Sequence, residues 1–262
     1  MSKITASANG KRCQIRLPGV CTDRNVVWCH AIGQAAGKGI GMKVPDLLGA
    51  YGCGGGLMKF LLDKSKVTID KKLSAHHDYV LGQLLTPLTG YANHGGIYAI
   101  DNGAFSGFNE NAFKQLLKRN ENSMDKCLFV SCPDIVGSAQ RTIELFNRRH
   151  LWIPEGWKVA LVAQDGVESC EIPWDELDAI FIGGGDPWKD SSAAHDVVRT
   201  AKILGKWVHV GRVNTHKRFS NFAKLGADSC DGSGASMYDH MLESIISSER
   251  GENHATLFNC AV

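Results

Sequence analysis

VALVAQDGVESCEIPWDELDAIFIGGGD, residues 159–186, carries two short apolar runs, VALVA and AIFI, each broken off by polar residues and glycines. Neither run alternates apolar with polar. A continuous apolar run of that length suits a strand covered on both faces, as in a parallel sheet flanked by helices. Five more such runs lie beyond Met58: KFLL near 60, IYAI before Asp101, CLFV at 127, WVHVG at 207 and ADSCD at 227. The intervals read as helices. NAFKQLLKRN places Phe113, Leu116 and Leu117 on one face, and SSAAHDVVRTAKILG opens on serines able to cap and stops at Gly205. THKRFSNFAKLG groups Phe219, Phe222 and Leu225 and ends at Gly226. No phosphate-binding glycine fingerprint opens the series, so the expected class is α/β, a (β/α)8-type barrel rather than an open doubly wound sheet. An eighth strand does not stand out, and an irregular or incomplete barrel is expected.

The whole chain has 262 residues, 44% apolar and 21% charged, enough for one sizeable core. No apolar run approaches the roughly 18 residues of a membrane span, and the N-terminus lacks a signal-type apolar stretch, so a soluble intracellular protein without a membrane partner is expected. Nine irregularly spaced cysteines, an odd number, favour reduced thiols or metal ligands over a disulfide framework. Residues 1–57 hold seven Lys/Arg against two Asp/Glu, whereas the remainder is slightly acidic. That split, with the glycine-rich GCGGG at 52–56, divides the chain into a small basic N-terminal segment, 1–57, and a barrel, 58–262. The basic segment suits a polyanion or is a solvated basic face.

The strand ends carry the chemistry. IYAI is followed by Asp101-Asn102-Gly103, CLFVSC by Pro133-Asp134, VALVA by Gln164-Asp165-Gly166, and AIFI by Gly183-Gly184-Gly185-Asp186. WVHV leads to Gly211-Arg212 and ADSC to Asp231-Gly232. In a β/α barrel all these ends share one mouth, where active sites are built. Each residue alone also suits a helix cap or a tight turn. Together they describe an acidic, amide-bearing, glycine-lined site. One ionised Asp can attack a carbon electrophile while another, its pKa raised by burial or by its neighbour, shuttles a proton. Glycosyl carbon is the usual electrophile of such a pair. Glycines admit a flat ring and a Gln amide offers donor and acceptor to a base edge, so the residues point to cleavage or exchange of a glycosidic bond to a planar heterocycle. An ordinary aspartate glycosidase would read similarly.

YAIDNGAFSGF (98–108) resembles the DSGGFQ segment of the tRNA-guanine transglycosylases, VAQDG (162–166) their VQGG, and FIGGG (181–185) their IGG. HVGRVNTHKRF (209–219) followed by GADSCD (226–231) resembles GVGTPEDL followed by GIDMFDC. The forms WVHVGRVNT, VAQDG and PDIVG are closer to the compact phage relatives, the 7-deazaguanine DNA transglycosylases. That resemblance implies a pentosyltransferase that replaces guanine in phage DNA with a 7-deazaguanine base, in the cytoplasm of the host cell. It implies Asp231 as the nucleophile on C1′ and Asp101 as general acid/base. Asp134 and Gln164 would read the base edge, Gly183 and Gly184 would lie against the ring, and Asn102 would join the base-binding set. Asp228 is expected to be a structural or orienting neighbour. Trp188, Lys189, Arg212, Lys217 and Arg218 are candidate base-stacking or phosphate contacts, with ordinary packing as the plainer alternative for the Trp-Lys pair.

The tRNA enzymes carry a Cys-x-Cys-x2-Cys zinc site with a later His beyond the nucleophile, whereas residues 232–262 here contain only Cys260, which favours DNA over tRNA. Asn102 and Ala104 depart from that family's serine and glycine. No cofactor is expected for the chemistry, because exchanging one base for another at C1′ is nearly thermoneutral. A glycosidase that releases guanine without exchange, a tRNA-acting enzyme and an idle nucleic-acid-binding barrel are the alternatives. KRCQIRLPGVC, WCHAIG and GIGMKVPDLLGAYGC, within residues 11–53, resemble a phage HNH-type zinc nuclease lacking its second Cys-x2-Cys-His. Cys13, Cys21, His30 and Cys53 are the candidate ligands of a structural zinc.

Overall fold

The computed structural model describes residues 3–8, 11–16, 57–76 and 79–249. The chain divides into two compact units, Met1–Gly54 and Gly55–Val262. In the first, β1 (Lys3–Ala8) and β2 (Lys11–Arg16) form an antiparallel pair running from Lys3↔Arg16 to Ala8↔Lys11. Cys13 falls in β2, but its side chain and the other expected zinc ligands, Cys21, His30 and Cys53, lie outside the described residues.

The second unit is a closed barrel of eight parallel strands, the TIM-barrel fold. In chain order these are β3 (Lys59–Leu62), β4 (Leu81–Leu85), β5 (Tyr98–Ile100), β6 (Cys127–Ser131), β7 (Val159–Ala163), β8 (Ala179–Ile182), β9 (Trp207–Val210) and β10 (Ser229–Asp231). β10 pairs with β3 and closes the ring. The helices are α1 (Lys66–Ala75), α2 (Glu110–Asn120), α3 (Ala139–Phe146), α4 (Asp186–Lys189), α5 (Ser192–Ile203), α6 (His216–Lys224), α7 (Ser233–Met237) and α8 (Asp239–Glu249). Their ends follow local chemistry. Ser191 and Thr215 accept hydrogen bonds from Ala194 N and Arg218 N at the starts of α5 and α6, and Gly205 and Gly226 take positive φ just beyond their ends.

The expected gap in the barrel is filled by β4, LGQLL, whose five residues are all buried. Gly82 and Gln83 interrupt its apolar run for identifiable reasons. A side chain at Gly82 would come within 2.6 Å of Leu61 Cδ2 and 3.0 Å of Ile97 O. Fully buried Gln83 donates from Nε2 to Lys64 O at 2.8 Å and accepts at Oε1 from His94 N at 2.8 Å. Its polarity is satisfied by loop backbone rather than by water.

Two apolar layers result. Outward strand residues such as Phe60, Tyr98, Ile180 and Val208 pack against helix residues including Phe113, Phe146, Phe219 and Phe222. Inside the barrel a smaller cluster contains Leu61, Leu84, Ala99, Phe129, Val162 and Phe181, with Trp207 packed against it. This interior plugs the barrel beneath the strand ends, so the mouth has a solid floor.

Candidate active site

A cavity of about 690 Å³ opens at the C-terminal ends of the strands, and Asp101, Asp134, Asn102, Gln164, Gly183 and Asp231 all line it. Five strand ends of distant sequence therefore deliver these expected site residues to one place. Asp231 closes β10. Its Oδ1 accepts from the backbone N–H of Arg212 at 3.1 Å, and its Oδ2 lies 3.0 Å from His209 Nε2. The peptide around it is tightly enclosed: a side chain at Gly211 would strike the Phe181 ring, and one at Gly232 would strike the Val213 carbonyl. Glycine at these two positions lets the β9 loop lie against the carboxylate.

Asp101 sits in a different environment. Its Oδ1 accepts from Gly103 N at 3.1 Å and from the Ser131 hydroxyl at 3.4 Å. Burial pushes its carboxyl up to about 6, and the negative charges of Asp231 and Asp134 push the same way, against the pull of the Gly103 N–H and Ser131. A carboxyl titrating there exchanges protons near neutrality, as a general acid/base must.

Asp134 is clamped from both sides. Asn102 Nδ2 donates to Oδ1 at 2.9 Å and Gln164 Nε2 donates to Oδ2 at 2.7 Å. Burial raises its carboxyl, while the two amides draw it down. Both amides are buried and committed elsewhere too: Asn102 Nδ2 also donates to Cys132 O at 2.7 Å, and Gln164 Oε1 accepts from Gly137 N at 2.9 Å. Gln164 is thus held at both ends of its amide by the protein, and only the second N–H and the second oxygen lone pair are left to meet a base edge. Asp134 adds acceptor positions at the same wall.

The glycine loop splits into two roles. Gly183 lines the cavity, where a side chain would come within 2.7 Å of Val162. At Gly184 the side-chain space is taken by Asp165 and Trp188, so this glycine serves packing behind the wall rather than an open face for a ring. Arg212 lines the cavity with φ at 58°, its Nη2 donating to Gly183 O at 3.0 Å and Gly184 O at 2.9 Å, its guanidinium 5.1 Å from the Phe105 ring centroid. It ties the β8 loop to the β9 loop.

Three expected nucleic-acid contacts are corrected by burial. Trp188 is buried and donates from Nε1 to Glu168 at 3.0 Å, so its ring is part of the packing. Lys189 is fully buried, donates to Gly211 O at 2.6 Å, and is pushed down to about 8 by burial and then by Arg212. Arg218 is engaged with Asp190 at 2.9 Å and Asp186 at 3.1 Å. Lys217 is exposed on α6. Asp228 proves structural, binding Lys202 Nζ at 2.6 Å and accepting from Val208 N at 2.8 Å.

Two features escape the sequence reading. His209, inside the apolar WVHV strand, touches Asp231, and its only signal is a lone polar residue in a buried run. Leu88, Phe105, Val136 and Met237, all more than half exposed, ring the mouth. Among the described residues no His, Cys, Asp or Glu group is arranged to hold a metal ion, and no helix is long and apolar enough to cross a membrane.

Fold and site define a β/α barrel with a carboxylate-rich mouth. Residues 2–78 match a family described as "Putative nuclease YbcO", a match that runs past the glycine seam into β3 and α1. No curated protein matches the chain. Similar solved structures include a mutant tryptophan synthase alpha-subunit from Pyrococcus furiosus, at 16% identity and TM-score 0.41, covering 75% of this chain and 91% of that one. The Amycolatopsis orientalis BexX/CysO complex is 11% identical with TM-score 0.44, covering 79% and 94%. An HpcH/HpaI aldolase from Desulfitobacterium hafniense DCB-2 is 11% identical with TM-score 0.37, covering 79% and 97%. At such identities and scores none bears on the chemistry.

Proposed function

We propose that the barrel is an enzyme that exchanges guanine in DNA for a 7-deazaguanine base through a covalent aspartyl intermediate. The observation that carries this reading is the unequal pair in one cavity: Asp231 bonded to the Arg212 N–H and to His209 Nε2, Asp101 pushed up to about 6. In the first step Asp231 attacks C1′ of a deoxyguanosine as the C1′–N9 bond breaks, and Asp101 gives its proton to the departing base. In the second, Asp101 takes the N9 proton of the incoming base, N9 attacks C1′, and the aspartyl ester bond breaks. Each bond broken is replaced by one of the same kind, so no cofactor is needed.

The clamped Asp134 supports recognition of a base edge that presents N–H donors, as guanine does. The apolar ring at the mouth supports contact with bases drawn from their stack. The likeness of residues 2–78 to a nuclease family and the excess of basic residues in 1–57 support a nucleic-acid partner. The test incubates wild type, D101N and D231A with guanine-containing DNA or tRNA and a labelled 7-deazaguanine base. Label entering DNA with wild type alone is the expected result. Label entering only tRNA would move the substrate, and free guanine without incorporation would make the enzyme a glycosidase.

A further inference from the structure

Strands β9 and β10 turn alternate residues into the barrel, which stacks Trp207, His209 and Gly211 beside Ser229 and Asp231, with Ser229 and His209 in register. Trp207 Nε1 lies 2.9 Å from Ser229 Oγ, Ser229 Oγ lies 2.9 Å from His209 Nδ1, and His209 Nε2 lies 3.0 Å from Asp231 Oδ2. We propose that these residues form a directional hydrogen-bond relay in which His209, as the Nε2–H tautomer, is the positioning residue for Asp231. The inference rests on Asp231 being the nucleophile.

The direction starts from Asp231. As a nucleophile it is a carboxylate, which can only accept, so the proton shared with His209 is on Nε2. A ring with that single proton carries a lone pair on Nδ1, which takes the Ser229 hydroxyl proton. Ser229 Oγ in turn accepts from the Trp207 indole N–H, which can only donate. His209 and Ser229 are both fully buried. The imidazole is packed against Phe181 at 4.6 Å in an edge-on contact and against Phe129 at 5.0 Å. Arg212 N–H secures the other oxygen, so the carboxylate plane is fixed from two sides. A nucleophile held in one plane reaches its electrophile without first losing rotational freedom.

The test pairs a spectroscopic readout with a rate. Nitrogen-15 NMR of the imidazole in the full-length protein should show His209 as the Nε2–H tautomer, and Ser229→Ala should disturb it. His209→Gln, whose amide can accept from Ser229 and donate to Asp231, should form the DNA adduct within a few-fold of the wild-type rate. His209→Phe fills the space without a donor and should slow adduct formation about 10- to 100-fold, as loss of a hydrogen bond to a charged group does, with the KM for the incoming base unchanged. An Nδ1–H tautomer, or a His209→Phe rate equal to wild type, overturns the relay. If His209→Phe does not fold, the Ser229→Ala spectrum and rate decide. Absence of any adduct in wild type would instead sink the nucleophile reading, and the substrate-free spectrum would still decide the relay.

Discussion

Gln164 Nε2 donates to Asp134 Oδ2 at 2.7 Å, and the same amide accepts from Gly137 N at 2.9 Å, so its orientation is set by the protein before any ligand arrives. Gln164→Glu puts a carboxylate against Asp134 in place of a donor. The variant is expected to lower kcat/KM by about 100-fold, in line with the roughly 1–3 kcal/mol cost of an unsatisfied buried polar group. The loss should fall mainly on KM for the base, measured by steady-state incorporation. A Gln164→Glu enzyme with unchanged KM would separate Asp134 from base binding.

Asp101 gives the pH dependence. Its folded-state pKa of about 6 is raised above the ordinary value of 3.8, chiefly by burial, so the fold prefers its protonated form. That preference is fully present below pH 4 and is lost as pH rises through 6. Asp101→Asn keeps an acceptor for Gly103 N–H and removes the ionisation, so it should melt higher than wild type at pH 8 but not at pH 4. The difference is expected on the order of 2 kcal/mol. The variant should also abolish the bend near pH 6 in the single-turnover rate together with most of the activity. Equal melting profiles at both pH values would show that the carboxyl is not strained in the fold.

Gly211→Ala would push a methyl group into the Phe181 ring behind Asp231. Overpacking of this kind costs about 1–3 kcal/mol. Denaturant melts should report that loss, and adduct formation should fall with it because the β9 loop carries the Arg212 N–H that Asp231 accepts. Stability lost with unaltered chemistry would mean that the loop can relax without moving the carboxylate.

Asp228 and Asp231 lie three residues apart, yet only Asp231 lines the cavity. Asp228→Asn should destabilise the barrel by about 1 kcal/mol through loss of the Lys202 ion pair, with adduct chemistry retained. Chemical denaturation and the adduct assay measure the two halves of this prediction. A stable but inactive variant would place Asp228 in the chemistry.

Much of this was legible because buried parallel strands write continuous apolar runs, and helix ends write Ser, Thr and Gly. The strand that was not legible, Leu81–Leu85, holds a glycine that makes room for Leu61 and a glutamine bonded to loop backbone, both invisible to periodicity. The residues at strand ends fell into one cavity because barrel topology puts them there. Partnership is a different matter. Trp188, Lys189 and Arg218 look like surface contacts in the sequence, but all three are buried and bonded within the barrel, Trp188 to Glu168, Lys189 to Gly211 O and Arg218 to Asp186 and Asp190. His209 reads as a core residue until its distance to Asp231 is known.

The most direct measurement is peptide mapping by mass spectrometry of wild-type protein denatured during turnover on guanine-containing DNA. A deoxyribosyl-linked nucleotide on Asp231, lost in D231A and formed without metal or nucleotide cofactor, is the predicted result. An adduct on another residue, or DNA-dependent exchange that persists in D231A, would contradict the assignment of Asp231 as the nucleophile.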